Sequence, residues 1–397
     1  MKTVTITPYS LIAILNDTYN HFVEDKIIPL FETNKLSYEY FHNGITSVSL
    51  LENCMEFPSK TKGIFVEVRT PEEIEQLEIL ATKHNFKFSI LSFLKTRVNS
   101  KQIDLLIESD VNFEIDLNGT REIEDSNVAI VGDIHGSFEI FIKMLTDDKG
   151  IAIDRKTNKI VIKDENKYVK HILVGDYLDK GTYKGITKMI NFLSDNLEHF
   201  HICIGNHEYW VAEYLLGNIK PNETNTFLIG SYFTSVVLLL QNSELRDKFF
   251  KIYNASVHCV ETPLAIVTHA PCKNIFLRKE DTASMREMRN MRYPKEREFE
   301  TQEDYFSARN SFFKFILEEA DDLNKLHFFG HTMVPDIFKY KNKVCLDTGC
   351  VVGGKLSVAL LNEEGDLNFK QYENKFPIKV EQLEPYFDFD YTIVDSL

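Results

Sequence analysis

The chain of 397 residues lacks most features that mark a specialised class of protein. Its six cysteines, Cys54, Cys203, Cys259, Cys272, Cys345 and Cys350, form no C-x-x-C pair, and a chain of this length needs no disulfide staples. Cys203, Cys259 and Cys345 lie in apolar, strand-like runs, so the thiols are expected to be inert core residues in a reducing compartment. No run reaches the roughly 18 apolar residues of a membrane span. The N-terminus carries no basic region followed by an apolar stretch and a small-residue cleavage site, so a cytoplasmic protein is expected. Positive charge is also scarce, with 45 Lys and Arg against 60 Asp and Glu, a net charge of -15. Phosphate backbones and anionic membranes reward clustered Lys and Arg, so neither a membrane nor DNA is an expected partner, although a local basic site stays open. There is no internal repeat and no low-complexity tract.

What is present is an ordinary globular composition, 43% hydrophobic and 26% charged, enough for one large domain or two. Residues 1–120 read as a separate small α+β module. In it Ile64, Val66 and Val68 alternate as in a strand, Thr70 is an expected N-cap, and Pro71 suits a first helical turn. Glu72 and Glu73 complement the helix dipole. Ile74, Leu77 and Leu80 then repeat at helical spacing, and Phe86, Phe88 and Ile90 restore a period of two. The module shows no reactive cluster. The polar stretch Asp116–Asn127, with its Asn118-Gly119 turn signal, marks the expected boundary near residue 120. Residues 121–372 alternate short apolar runs with helical patterns, an α/β arrangement of sheet strands feeding loops. Residues 373–397 form an acidic, aromatic tail, expected to pack.

Five apolar runs end alike. VAIVGDIHG delivers Asp133 and His135, and VKHILVGDYLDKG delivers Asp176 and Asp179. ICIGNHEYW delivers Asn206, His207 and Glu208. LAIVTHAP ends in His269 and HFFGHTMVP in His331. The carboxyl edge of an open α/β sheet is where ligands bind, and neighbouring glycines permit close backbone approach. Asp and His after a single strand often only cap a turn; five such ends without a competing cluster point to a site. Imidazoles, carboxylates and one carboxamide make a mixed N/O set suited to Mn, Fe or Zn. So many groups exceed one structural ion and fit two, about 3.5–4 Å apart, bridged by a carboxylate. The remaining histidines, His258 among them, are expected to be structural.

The motif set GDIHG (132–136), GDYLDKG (175–181), GNHE (205–208), THAP (268–271) and GHT (330–332) resembles the calcineurin-like metallophosphoesterases, phosphoprotein phosphatase branch. It is most similar to bacterial and phage members: lambda-type protein phosphatases, diadenosine tetraphosphate hydrolases and RNA-end-healing phosphatases. The resemblance spans roughly residues 128–372 and implies a β-sandwich flanked by helices. It further implies that Asp133 and His135 bind one metal, that Asp176 bridges, and that Asn206, His269 and His331 complete the second. Asp179 would orient His207, the general acid. Lys180 stands where the family usually carries an arginine, keeping the charge but losing the bidentate fork. HAP replaces the more usual HGG or HAG.

Arg286, Arg289 and Arg292, at three-residue spacing, read either as a phosphate clamp or as a solvated basic helix face. The expected cofactors are two divalent ions, Mn foremost, with Fe, Zn, Ni or Mg as alternatives. The first expectation is hydrolysis of phosphoserine or phosphothreonine in proteins, or of a small phosphoester. The alternative is a nucleotide or nucleic-acid phosphoesterase acting on dinucleoside polyphosphates, cyclic nucleotides or RNA 2',3'-cyclic ends. A third reading, outside the enzymes, is a binding protein with a structural metal site.

Overall fold

The computed structural model describes residues 2–6, 10–15, 38–41, 63–68, 71–84, 87–92, 105–106, 111–115, 119–147, 150–154, 156–216, 226–279, 281–291, 300–317, 324–375, 377 and 392–393. The chain divides into two compact units, Met1–Leu117 with Glu213–Thr226, and Asn118–Ala212 with Phe227–Leu397.

In the first unit the strand Gly63–Val68, the helix Pro71–His84 and the strand Lys87–Ser92 follow one another as their residue periods predict. Thr70 lies outside the described residues. Ile64 and Val66 on the strand and Leu77 and Leu80 on the helix are buried. The two strands flank Ser10–Leu15 on opposite sides, all parallel. Parallel neighbours need a crossover connection, and the helix Pro71–His84 supplies it.

The second unit is a β-sandwich. Its first sheet has the order Phe200–Ile202, Lys170–Leu173, Val128–Val131, Lys355–Leu361, Leu367–Glu373. The first three strands are parallel, and Lys355–Leu361 runs antiparallel to Val128–Val131. Among the described residues the second sheet has seven strands, built around the parallel pair Ala265–Thr268 and Leu326–Phe329. Val128, Ile130 and Ile172 of one sheet meet Val267, Phe328 and Val344 of the other in a single core. The alternate residues Ala129 and Val131 are buried too, because a strand covered on both faces reads as an unbroken apolar run. Outside the first sheet, Phe141 and Phe192, from the helices Phe138–Asp147 and Tyr183–Asp195, pack with Phe200. Outside the second, Phe313 of the helix Gln302–Leu317 packs on Phe329 and Phe338.

Two features differ from what the residue pattern predicts. The polar stretch at the boundary contributes a strand, Thr120–Glu122, paired parallel with Cys259–Glu261. An edge strand needs backbone pairing on one side only, so it carries no apolar signature. At the other end Thr392 and Ile393 pair antiparallel with Lys339 and Phe338.

Candidate metal centre

Three parallel strands of one sheet and two of the other end on the same rim, where their last residues give way to Asp133, Asp176, Asn206, His269 and His331. The rim is tightly built. His135, Asp176, Asp179, Lys180 and His331 all have positive φ, between 48° and 65°. Such backbone costs on the order of 1 kcal/mol or more per residue, and it persists where the surrounding packing imposes it. Two glycines make the approach possible. A Cβ on Gly330 would collide with the Asp133 carboxylate, and one on Gly205 would collide with that of Asp176.

The side chains converge in two groups that share one carboxylate: His135, Asp176 and His207, and Asp133, Asp176 and His269, with the ligand atoms of each group within 4.8 Å of one another. Asn206 and His331 adjoin the second group. The Asn206 Oδ1 lies 3.0 Å from His269 Nε2 and 2.8 Å from His331 Nδ1. Asp133 therefore sits with His269 as well as beside His331, whose backbone N–H it accepts at 3.2 Å.

The hydrogen bonds indicate what this cluster is suited to hold. His269 Nδ1 lies 3.0 Å from the Val174 carbonyl and His135 Nδ1 lies 2.8 Å from the Leu178 carbonyl. Only an N–H satisfies a carbonyl, so each ring turns its Nε2 towards the cluster, the orientation that outer partners impose on metal-binding histidines. Burial holds His269, His135 and His331 below the ordinary imidazole range, hence neutral. His269 Nε2 then points a lone pair at Asn206 Oδ1 and, 3.4 Å away, at Asp176 Oδ1, with no proton between them. Converging lone pairs repel unless a cation lies among them.

The carboxylates agree. Burial would raise the Asp176 pKa, yet the His269, His207 and His135 rings and Lys180 outweigh it and hold the group ionised. The mixed N/O donor set around this carboxylate fits a divalent cation. Burial, then the neighbouring Asp347 and Asp176, push Asp133 well above the usual carboxylate range. Burial likewise pushes Asp347 up to about 6, against the pull of Lys180.

At the edge of the cluster His207 places Nδ1 3.0 Å from Asp179 Oδ2, and its ring meets that of His135 edge-on at 4.8 Å. Asp179 is fully buried, and its other oxygen accepts the Ser235 backbone N–H at 3.2 Å. Lys180 Nζ lies 3.0 Å from His135 Nε2.

Three residues contribute that the sequence reading did not assign a role. The buried Glu208 carboxylate accepts the backbone N–H groups of Asp176 at 2.8 Å, Leu178 at 2.9 Å and Gly205 at 3.1 Å, tying two strand ends together. Asp347 follows the strand Lys343–Cys345, another apolar run ending in Asp, the same signal as at the other five ends. Ser235 lies inside the helix Thr226–Gln241 and has no such signal.

The two described arginines, Arg286 and Arg289, do not share one open face. Arg289 is buried, with its guanidinium 3.4 Å from the Tyr209 ring centre and Nη1 donating to His258 Nε2 at 2.7 Å. Arg286 is half-buried beside Glu287 at 3.3 Å, and Arg292 lies outside the described residues. His258, expected to be structural, is thus an arginine partner. Cys203, Cys259, Cys272, Cys345 and Cys350 are buried free thiols, with burial raising the pKa of each.

Among the described residues, no helix is long and apolar enough to cross a membrane. Comparison with known proteins agrees with the site. The chain is 26% identical over 237 residues to the asymmetrical bis(5'-nucleosyl)-tetraphosphatase PrpE of Anoxybacillus flavithermus (strain DSM 21510 / WK1), covering 57% of this chain and 87% of the relative. A crystal structure described as a candidate diadenosine tetraphosphatase aligns at 17% identity and a TM-score of 0.41, covering 64% of this chain and 98% of its own. The profile of the calcineurin-like phosphoesterases matches residues 126–345, which hold Asp133, Asp176, Asn206, His269 and His331; the chain belongs to that family of metal-dependent hydrolases.

Proposed function

We propose that the enzyme hydrolyses nucleotides, dinucleoside polyphosphates foremost, at a centre of two divalent ions. The observation that carries the two-ion reading is the meeting of two ligand groups at Asp176. The substrate class draws on the relative that is an asymmetrical bis(5'-nucleosyl)-tetraphosphatase, and it moves the nucleotide alternative ahead of the phosphoprotein expectation.

In this reading Asp133, His135, Asn206, His269 and His331 would hold the two ions, with Asp176 shared between the two ligand groups. When bound, the ions supply a nucleophilic water near neutral pH and neutralise charge on the phosphoryl oxygens. His207 turns Nδ1 to Asp179, which leaves Nε2 as the nitrogen that would hand a proton to the leaving group. As the water oxygen bonds to phosphorus, the bond from phosphorus to the leaving oxygen breaks. That oxygen takes the Nε2 proton, and the surplus proton of the water passes to solvent. Lys180 offers a phosphoryl oxygen a point charge in place of an arginine fork. Glu208 keeps Asp176 and Gly205 in register.

Turnover of diadenosine tetraphosphate, a phosphoserine peptide, RNA ending in a 2',3'-cyclic phosphate and nitrophenyl phosphate tests the reading, each with Mn, Mg, Ni and Zn. The highest kcat/KM is expected for the dinucleotide. A lead of about tenfold or more by the peptide or the RNA, roughly 1.4 kcal/mol, overturns the substrate class.

A further inference from the structure

We infer that a cleft beside the metal centre seats the nucleoside on the leaving side of the scissile bond; the inference rests on the nucleotide reading above. The cleft has a volume of about 240 Å³ and is lined by Gly136, Phe138, Gly181, Lys184, Lys188 and Val351, among others. Its place follows from chain continuity. Gly136 is the residue after His135, and Gly181 is the residue after Lys180. The two glycines lie so close that a Cβ on Gly181 would stand 3.0 Å from the Gly136 Cα and 2.5 Å from the His135 carbonyl oxygen. The floor between cleft and centre is therefore backbone.

The direction follows from the rings. His207 stands against His135, at 4.8 Å, while His269 and His331 form the other ring pair at 5.1 Å. A group that takes its proton from His207 leaves on the His135 side, and Gly136, the next residue, lines the cleft.

The lining fits an aromatic body that carries negative charge. Phe138 and Val351 offer apolar surface. Lys188 is neutralised by Glu139 at 2.5 Å and lies 5.3 Å from the Phe138 ring centre. Lys184 is exposed, with no carboxylate within ion-pair reach among the described residues, a free cation in a chain of net charge -15. Size decides how much of the substrate enters. Sites for drug-sized ligands hold about 300–1,000 Å³, and this cleft, at about 240 Å³, suits a single nucleoside.

The test compares inhibition of nitrophenyl phosphate turnover by adenosine 5'-monophosphate and by inorganic phosphate, on the metal-loaded full chain. Both bring a phosphate to the ions, and only the nucleotide reaches the cleft. The monophosphate is expected to bind about tenfold tighter than phosphate, and Phe138→Leu should remove most of that advantage while leaving the phosphate constant within twofold. An unchanged thermal midpoint shows that Phe138→Leu is folded. The surface variant Lys184→Glu, which puts no core packing at risk, should weaken adenosine triphosphate more than the monophosphate. Equal binding of phosphate and monophosphate by a wild-type enzyme that hydrolyses dinucleotides overturns the cleft and leaves the nucleotide reading standing. So does a nucleotide advantage that survives both substitutions. A wild-type enzyme active on nitrophenyl phosphate and inactive on dinucleotides overturns both.

Discussion

Asn206 and His207 are chain neighbours with different surroundings, and the proposed reading gives each a different task. The Asn206 carboxamide oxygen lies among the imidazole nitrogens of His269 and His331, whereas the His207 ring is turned to Asp179. Asn206→Ala is expected to lower metal content, with partial rescue by excess metal. His207→Asn should keep its metal and lose turnover. General acid catalysis contributes on the order of 100- to 10,000-fold, so the loss should be large for a serine-linked phosphate and much smaller for nitrophenolate, which departs without a proton. Metal analysis beside rates on the two substrates checks both halves. Equal losses on both substrates with full metal content would contradict the acid role of His207.

At the scale of the element, the strand Lys170–Leu173 buries a histidine. His171 is 2% exposed, and its Nδ1 has no hydrogen-bond partner among the described residues. Burial, with His199 adding a little, lowers its pKa to about 4 from an ordinary 6.5. The sign follows from linkage. The folded state disfavours the charged ring, so the stability that the neutral ring allows is whole above pH 6.5 and drains away as pH falls towards 4. The amount at stake is about 3 kcal/mol, from roughly 1.4 kcal/mol for each unit of pKa. His171→Phe keeps an aromatic ring beside Phe200, 5.9 Å away, and cannot be protonated. Urea midpoints at pH 7.5, 6 and 5 should fall less steeply for this variant than for the wild type. Parallel slopes would mean that His171 is not a source of acid sensitivity. The same strand shows how elements set the site: it stays parallel to both neighbours, so its end meets theirs and brings Asp176 to the middle of the ligand cluster.

For the whole molecule the expected metal content is two ions per chain. No more than one ion in a fully active sample, by elemental analysis, would sink the two-ion centre. Because the converging lone pairs and buried carboxylates need a cation, metal should also raise the thermal midpoint. A ligand at about 100 times its dissociation constant contributes roughly 2.7 kcal/mol. A chelator should reverse this without loss of the folded far-UV spectrum. A second expectation concerns the first unit, which carries none of the proposed ligands. A chain beginning at Asn118 keeps the strand Thr120–Glu122 and should fold and hydrolyse nitrophenyl phosphate. One beginning at Asp125 loses that edge strand and should melt at a lower temperature. Loss of small-substrate turnover by a folded, metal-loaded shortened chain would show that the first unit helps to build the site.

The sequence by itself determined which polar groups stand at the strand ends, because a buried strand that stops at glycine and polar residues is a local signal, readable at each of five places. The strand, helix and strand across residues 63–92 were legible for the same reason: their periods are written in neighbouring side chains. Only the tertiary structure decided which ligands share Asp176, why Glu208 is buried, and that Asp347 presses on Asp133. It also decided that Arg289 stacks on Tyr209 and that Thr120–Glu122 closes a sheet edge. Each of these is a contact between segments distant in sequence, such as the 198 residues from Asp133 to His331. Hydrophobic periodicity reports which face of an element is covered, and it carries no record of the partner that covers it.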